Sequence, residues 1–181
     1  MNGANHEHRA ARPMWVRTRA ELRGTRRRRP HSCWDHLIVA PLWPKYGVNL
    51  GTLLRTCDAV GACLAVPHKP WISDALDKGN TLRQPSCVHW VNKPLVWLAA
   101  QRKAGSDVVG VELTDESIRL VELLPARRRT VVVLGHETDG IPPEATELLD
   151  TAVEIPMLGT GISLNVAVAG SLVAYKLAGL V

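Results

Sequence analysis

The chain lacks the glycine-rich fingerprints of the common nucleotide-binding folds. No Gly-x-Gly-x-x-Gly follows a stretch that reads as a strand, which excludes a standard dinucleotide site and the Rossmann type of cofactor cradle. Gly135 and Gly140 stand at P-loop spacing, but Ile141 occupies the position of the phosphate-binding lysine, so a P-loop ATPase or GTPase is excluded. The four cysteines (Cys33, Cys57, Cys63, Cys87) form no Cys-x-x-Cys and have no histidine pair at ligand spacing. They read as reduced, mostly buried thiols of a cytoplasmic protein, and no metal is expected. The N-terminus is arginine-rich and has no apolar core segment, so it is not a secretory signal. The most apolar stretch, 163–181, is interrupted by Asn165, Ser171, Tyr175 and Lys176, and no membrane span is expected there.

What is present is unevenly charged. The first thirty residues hold nine arginines against Glu7 and Glu21, a net +7, so a chain of net charge +5 leaves −2 for the remainder. Residues 1–30 therefore read as a basic tail and 31–181 as one domain. Such a tail suits a polyanion, RNA being the obvious one; the plain alternative is an unselected leader ahead of Met14.

Beyond the tail, short apolar runs alternate with helical stretches, the pattern of an α/β protein with a parallel sheet. Strands are expected at 36–40, 62–66, 107–113, 130–134 and 152–156. Helices are expected at 50–60, at 94–103 with Leu95, Leu98 and Ala99 on one face, from Pro142, and from about Ile162 to the end. The small residues Ala167, Ala169, Gly170 and Ser171 suit close helix packing, in the core or in a dimer.

Three segments carry polar residues where α/β proteins place ligands, beyond the carboxyl ends of strands. The first runs Asn49-Leu50-Gly51-Thr52-Leu53-Leu54-Arg55, followed by Asp58-Ala59-Val60-Gly61. Asn49 reads as an N-cap, Gly51 permits close backbone approach, and Arg55 sits among apolar neighbours, where it needs a partner. The second, Gly135-His136-Glu137-Thr138-Asp139-Gly140, places a carboxylate in a glycine-bracketed loop. The third runs from Ile155-Pro156-Met157 to Ser163-Leu164-Asn165-Val166 at a helix start. Each alone has a plain structural reading: an ion pair, an acidic turn, a helix cap.

Taken in this order and at these intervals, the segments resemble the three signature motifs of the SpoU/TrmH family of SPOUT RNA methyltransferases. The resemblance runs from Trp34 to the C-terminus. It implies an α/β sheet with a deep C-terminal trefoil knot, a homodimer with the site built across both chains, and S-adenosyl-L-methionine as cofactor. The cofactor is then expected against Val111, Leu134, Gly135, Ile155, Met157 and Leu164, and transfer of its methyl to a ribose 2′-hydroxyl of RNA. Arg55 matches the family's catalytic arginine and is expected to act electrostatically on phosphate and developing alkoxide, with Asn49, Glu137, Ser163 and Asn165 completing the site and no metal involved. The stretch Gly110 to Asp115 looks like the strand and turn before the second motif in TrmH-type enzymes, which favours tRNA over rRNA. A chain ending directly after its last helix, where TrmH enzymes extend further, leaves the tRNA position open. Two rivals remain: a non-catalytic RNA-binding or assembly protein that keeps the fold, and a knotted methyltransferase acting on a base. The Ser-Leu-Asn-Val run belongs to the ribose-methylating branch.

Overall fold

A computed structural model of the chain describes residues 37–79 and 87–181. The basic tail, the boundary at residues 30–31 and Trp34 lie outside the described residues. Among the described residues seven strands form one sheet in the order β3-β2-β1-β6-β4-β7-β5, and every pairing in it is parallel. They are β1 (Leu37–Pro41), β2 (Cys63–Pro67), β3 (Val88–Val91), β4 (Asp107–Val111), β5 (Ile118–Arg119), β6 (Thr130–Leu134) and β7 (Thr151–Glu154). The helices are α1 (Gly47–Val60), α2 (Pro70–Gly79), α3 (Pro94–Lys103), α4 (Pro143–Thr146) and α5 (Val166–Leu177). The expected fold class, α/β with a parallel sheet, is what the chain adopts.

A parallel sheet needs both faces covered, so its strands are apolar throughout rather than half polar. The central run Thr130-Val131-Val132-Val133-Leu134 is wholly buried. Successive side chains then go to opposite cores. Val39, Val132 and Leu134 face a core with Leu50, Leu53, Ile72 and Val173 from α1, α2 and α5. Ile38, Val131 and Val133 face a second core with Leu98 from α3 and Ala145 from α4.

Element ends follow local chemistry. Gly61 closes α1 in the left-handed conformation (φ 73°), its N–H donating to the Cys57 carbonyl. Pro94 opens α3 in its first turn, where a missing N–H costs nothing. Glycine also sets the α1–α2 distance. A Cβ on Gly51 would lie 2.9 Å from the Gly79 Cα, so the close approach expected at Gly51 is made by α2.

Several boundaries and faces differ from expectation. α1 starts three residues before the expected Leu50, and Tyr46, not Asn49, is its N-cap. In α3 only Leu98 is fully buried, while Leu95 and Ala99 are exposed, because α3 touches the sheet along a narrow line. The last helix begins at Val166 rather than about Ile162, since the Asn165 side chain caps it by accepting from the Ala167 and Val168 amides at 2.9 and 3.3 Å. Its small residues pack within the chain. A Cβ on Gly170 would stand 2.6 Å from Leu134 Cδ1 and 3.0 Å from Leu53 Cδ2, and Ser171 Oγ meets Thr56 Oγ1 at 2.6 Å. α2, β3 and β5 were not foreseen from the sequence.

Candidate active site

The strand order reverses between β1 and β6: β2 and β3 run outward on one side, β4, β7 and β5 on the other. At such a switch point the loops leaving the two central strands diverge and open a crevice at their carboxyl ends. The loop after β1 leads into α1, whose own residues carry the first motif. The loop after β6 carries the second. The segment after β7 carries the third and leads into α5.

The side chains of the three motifs meet there in one hydrogen-bonded chain. Asn49 Nδ2 donates to Glu137 Oε1 at 2.7 Å, and Asn165 Nδ2 donates to Asn49 Oδ1 at 3.0 Å. The Lys45 and Tyr46 amides donate to the two Glu137 oxygens at 2.7 and 3.1 Å. Lys45 Nζ donates to Thr138 Oγ1 at 3.1 Å. Asn49 is 6% exposed, in the first turn of α1. It is thus the central link of this chain, not the cap expected of it. Asn165 does both jobs, holding Asn49 and capping α5.

Glu137 carries the electrostatics of this network. Burial pushes its carboxyl up, but the bonds from Asn49 and from the Lys45, Glu137 and Tyr46 amides outweigh burial and hold it below the ordinary 4.5. A carboxylate depressed in the folded state adds stability that is present above its ordinary value and lost as pH falls through the folded one. Glu137→Gln sets an amide N–H₂ against donors and should cost about 1–3 kcal/mol at neutral pH. Urea unfolding followed from pH 7 downward should be correspondingly flatter below 4.5 in the variant; identical profiles would remove Glu137 from the acid response.

The second loop is tight. His136 and Gly140 exchange backbone hydrogen bonds of 2.8 and 2.9 Å, and Gly140 sits at φ 71°. Glu112, one residue past β4, accepts from the Ile141 amide at 2.8 Å and fixes the loop from beneath. Glu112 lay within the expected Gly110–Asp115 stretch, but no role was read for it.

Of the expected cofactor-facing residues, Val111, Leu134, Gly135, Ile155 and Met157 fall at or just past the carboxyl ends of β4, β6 and β7. Val111 and Leu134 end β4 and β6 as register partners, and Val111 pairs with Val153 of β7, one residue before the strand's end at Glu154. Ile155 and Met157 follow directly. Leu134 and Gly135 are buried and offer backbone groups only, whereas Met157 is 42% exposed and Ile155 and Leu164 are partly buried. Gly135 has no room for a side chain. Its Cβ would lie 2.2 Å from the Gly140 carbonyl carbon and 2.4 Å from the Ile141 nitrogen, so the chain's own loop occupies that space.

Arg55 and Ser163 stand apart from the Asn49–Glu137–Asn165 chain. Six helical positions turn Arg55 through about 240° from Asn49. It is exposed and lines a groove of about 620 Å³ between α1 and α2 with Val48, Thr52, Trp71, Asp74, Ala75 and Lys78. Ser163 is exposed in the segment leading to α5, beside fully exposed Leu158 and Ile162.

Two groupings escaped the sequence reading. His68 and Trp90, beyond β2 and on β3, have ring centroids 5.6 Å apart, with exposed Lys69 and Lys93 flanking them in sequence. Cys63, Cys87 and His89 bring their ligand atoms within 4.8 Å of one another. Residues distant in sequence on neighbouring strands give no spacing signal. Among the described residues no helix is long and apolar enough to cross a membrane.

Comparison with known proteins agrees with this geometry. The model of the SpoU rRNA Methylase family matches residues 36–175. The chain is 32% identical over 133 residues to the tRNA (guanosine(18)-2'-O)-methyltransferase of Aquifex aeolicus, covering 71% of this chain and 62% of that protein. It is 32% identical over 136 residues to the 23S rRNA (guanosine(2553)-2'-O)-methyltransferase RlmP of Bacillus subtilis, covering 72% of this chain and 53% of that one. Among solved structures, the SpoU methyltransferase AviRb from Streptomyces viridochromogenes, in complex with the cofactor AdoMet, superposes with a TM-score of 0.65 at 26% identity, over 81% of this chain and 58% of that one. The chain thus spans between half and two thirds of these relatives' lengths. A parallel sheet with its switch point between β1 and β6, three motif loops joined across that point, and a family match over all of them lead to one conclusion: the chain belongs to the SpoU rRNA methylase family.

Proposed function

We propose that this chain is an S-adenosyl-L-methionine-dependent RNA 2′-O-ribose methyltransferase, with tRNA favoured as substrate, acting in the cytoplasm as a homodimer. The observation that carries the reading is the Asn49–Glu137–Asn165 chain, which locks the three motif loops into one rigid rim at the switch point. A rim whose side chains bond one another is preorganised, and its backbone groups and apolar ends are left to bind. A trefoil threading of the C-terminal segment belongs to the same reading.

The residues present fit the cofactor in kind. Partly buried Val111, Ile155 and Leu164 and the exposed Met157 offer apolar walls, and Leu134 and Gly135 offer backbone groups, suiting an adenosine and a short aliphatic chain. When bound, S-adenosyl-L-methionine supplies a methyl group on a sulfonium, which leaves as a neutral thioether. The protein's own task is to align the ribose hydroxyl and favour loss of its proton. Arg55 is too basic for an ordinary proton abstraction and serves as a fixed positive charge for the target phosphate and the oxygen that becomes anionic. Asn49, Glu137 and Asn165 act as positioning residues for the loops, and Ser163 faces the substrate.

Arg55 lies on a different face of α1 from the motif chain, which favours a site completed by a second copy. Val168 and Leu172 of α5 are 46% and 40% exposed, and with Leu158 and Ile162 they give that copy an apolar surface to cover. The α5 residues that pack inside the chain are not part of it.

The test incubates the purified protein with labelled cofactor and unmodified tRNA or rRNA, then digests the RNA for nucleoside mass spectrometry. One 2′-O-methylated nucleoside in tRNA is expected. A methylated base would move the chain to a different chemistry, and cofactor binding without turnover on either RNA would favour the non-catalytic assembly protein. Sedimentation at micromolar concentration should give a dimer; an active monomer would refute the shared site.

A further inference from the structure

The opposite edge of the sheet holds a second cluster that the methyl-transfer reading does not use. Cys63 is the first residue of β2, Cys87 immediately precedes β3, and His89 is the second residue of β3. β2 and β3 are parallel, with Leu64 beside Val88 and Ala65 beside His89. That register sets Cys63 beside Cys87, and the two-residue period puts His89 on the same face. The motif loops leave the carboxyl ends of the strands, whereas Cys63 and Cys87 sit at the amino ends.

We propose that Cys63, Cys87 and His89 supply three protein ligands to a zinc ion that fastens the edge strand β3 to β2. The three ligand atoms lie within 4.8 Å of one another, and Cys87 Sγ stands 3.4 Å from His89 Nε2. Zinc bonds sulfur at about 2.3 Å and imidazole nitrogen at about 2.0–2.1 Å, and at a tetrahedral angle such a pair of ligands is about 3.5 Å apart. The Cys87–His89 separation is therefore already that of two zinc ligands. Cys63 Sγ lies within 4.8 Å of both partners, against the about 3.5–3.8 Å that separates two ligands of a tetrahedral zinc.

The donor set favours zinc over harder cations. Two sulfurs and one imidazole nitrogen suit a borderline-soft ion, and calcium or magnesium would require oxygen ligands. Binding releases a proton from each of the two thiols to solvent and leaves the fourth tetrahedral position to water or another donor. Cys57, nearby in the core, is not a ligand. Its thiol donates to the Cys63 carbonyl at 3.5 Å, and its side chain belongs to the core on the other face of the sheet from the Cys63 side chain.

The benefit falls on β3. It is an outer strand of four residues, with only Val91 fully buried. A metal bridging it to the wholly buried β2 would fasten this outer strand to the body of the sheet.

The experiment uses the full chain, stripped of metal under reductant, and titrates it with cobalt(II) and then zinc(II). Cobalt should bind at one equivalent with thiolate-to-metal charge-transfer absorption, and zinc should displace it and raise the thermal midpoint. Cys87→Ser and His89→Ala, both at partly buried positions, should each weaken binding by more than the roughly hundred-fold that losing an outer-shell partner costs, and abolish the midpoint shift. Cys33→Ser should keep both. Circular dichroism of the metal-free variants, matching the metal-free parent, separates lost binding from lost folding. No cobalt uptake by the reduced parent, uptake unchanged in Cys87→Ser and His89→Ala, or uptake lost only in Cys33→Ser would each overturn the assignment. Methyl transfer is not the readout, so its failure leaves this result standing.

Discussion

Arg55→Ala should lower the single-turnover rate of methyl transfer by about 10²–10³-fold, the usual cost of removing one preorganised charge from a developing anion. The thermal midpoint should barely move. Arg55 is exposed on α1, and the buried neighbours Leu53, Leu54, Thr56 and Cys57 hold the helix in place without it. Affinity for RNA should fall far less than the rate, because a charge that acts in the transition state contributes little to ground-state binding. Arg55→Lys separates two roles. A lysine keeps the charge and loses the planar fork, so partial recovery of rate points to charge and no recovery points to bidentate geometry. A rate unchanged in Arg55→Ala would take the arginine out of the reaction.

Gly135→Ala should be among the most destabilising single substitutions in the chain, at about 3–5 kcal/mol. The added methyl would stand 2.2 Å from the Gly140 carbonyl carbon and 2.5 Å from its oxygen, both backbone atoms of a loop closed by reciprocal hydrogen bonds. The loop cannot yield easily, since Glu112 holds the Ile141 amide on one side and Asn49 holds Glu137 on the other. Denaturant unfolding measures the loss, and calorimetry of the folded fraction with S-adenosyl-L-methionine measures the collateral effect on binding. Gly159→Ala is the matched control, as nothing lies within 4 Å of its added Cβ. Equal stability for the two variants would mean that the loop rearranges without cost.

How much of this was legible in the sequence depended on where each residue's constraint comes from. The run Thr130–Leu134 and the helix Pro94–Lys103 have the bounds expected of them, because uniform β-branched apolarity and an opening proline are local signals. The second motif was placed in the loop after β6 for the same reason, whereas the first lies inside α1. α2 contributes only Ile72 and Leu76 to the buried core, too few to set a period, and β3 exposes Trp90 (43%) on an edge. Arg55 was read among apolar neighbours because Leu53, Leu54 and Cys57 stand near it in sequence, but its own direction on the helix depends on where α2 packs. The small residues of α5 carried the close-packing signal without naming the partner, which is α1 of the same chain. The bonds of Asn49 to Glu137 and Asn165 span 88 and 116 residues, and no linear spacing encodes them.

The placement of β1 beside β6 has a consequence for how the chain reaches this state. Leu37 pairs with Thr130 and Pro41 with Leu134, so the sheet's centre joins segments 93 residues apart in every register pair. Contacts this remote in sequence carry a large loop-closure entropy before they return any burial, and parallel pairings of this kind slow folding. On the ribosome, β1, α1 and β2 emerge with one flank of β1 unpaired and the apolar face that α5 will cover still open to water. That window closes only once residues through Leu177 have been made, and until then the chain is a natural client for holding chaperones.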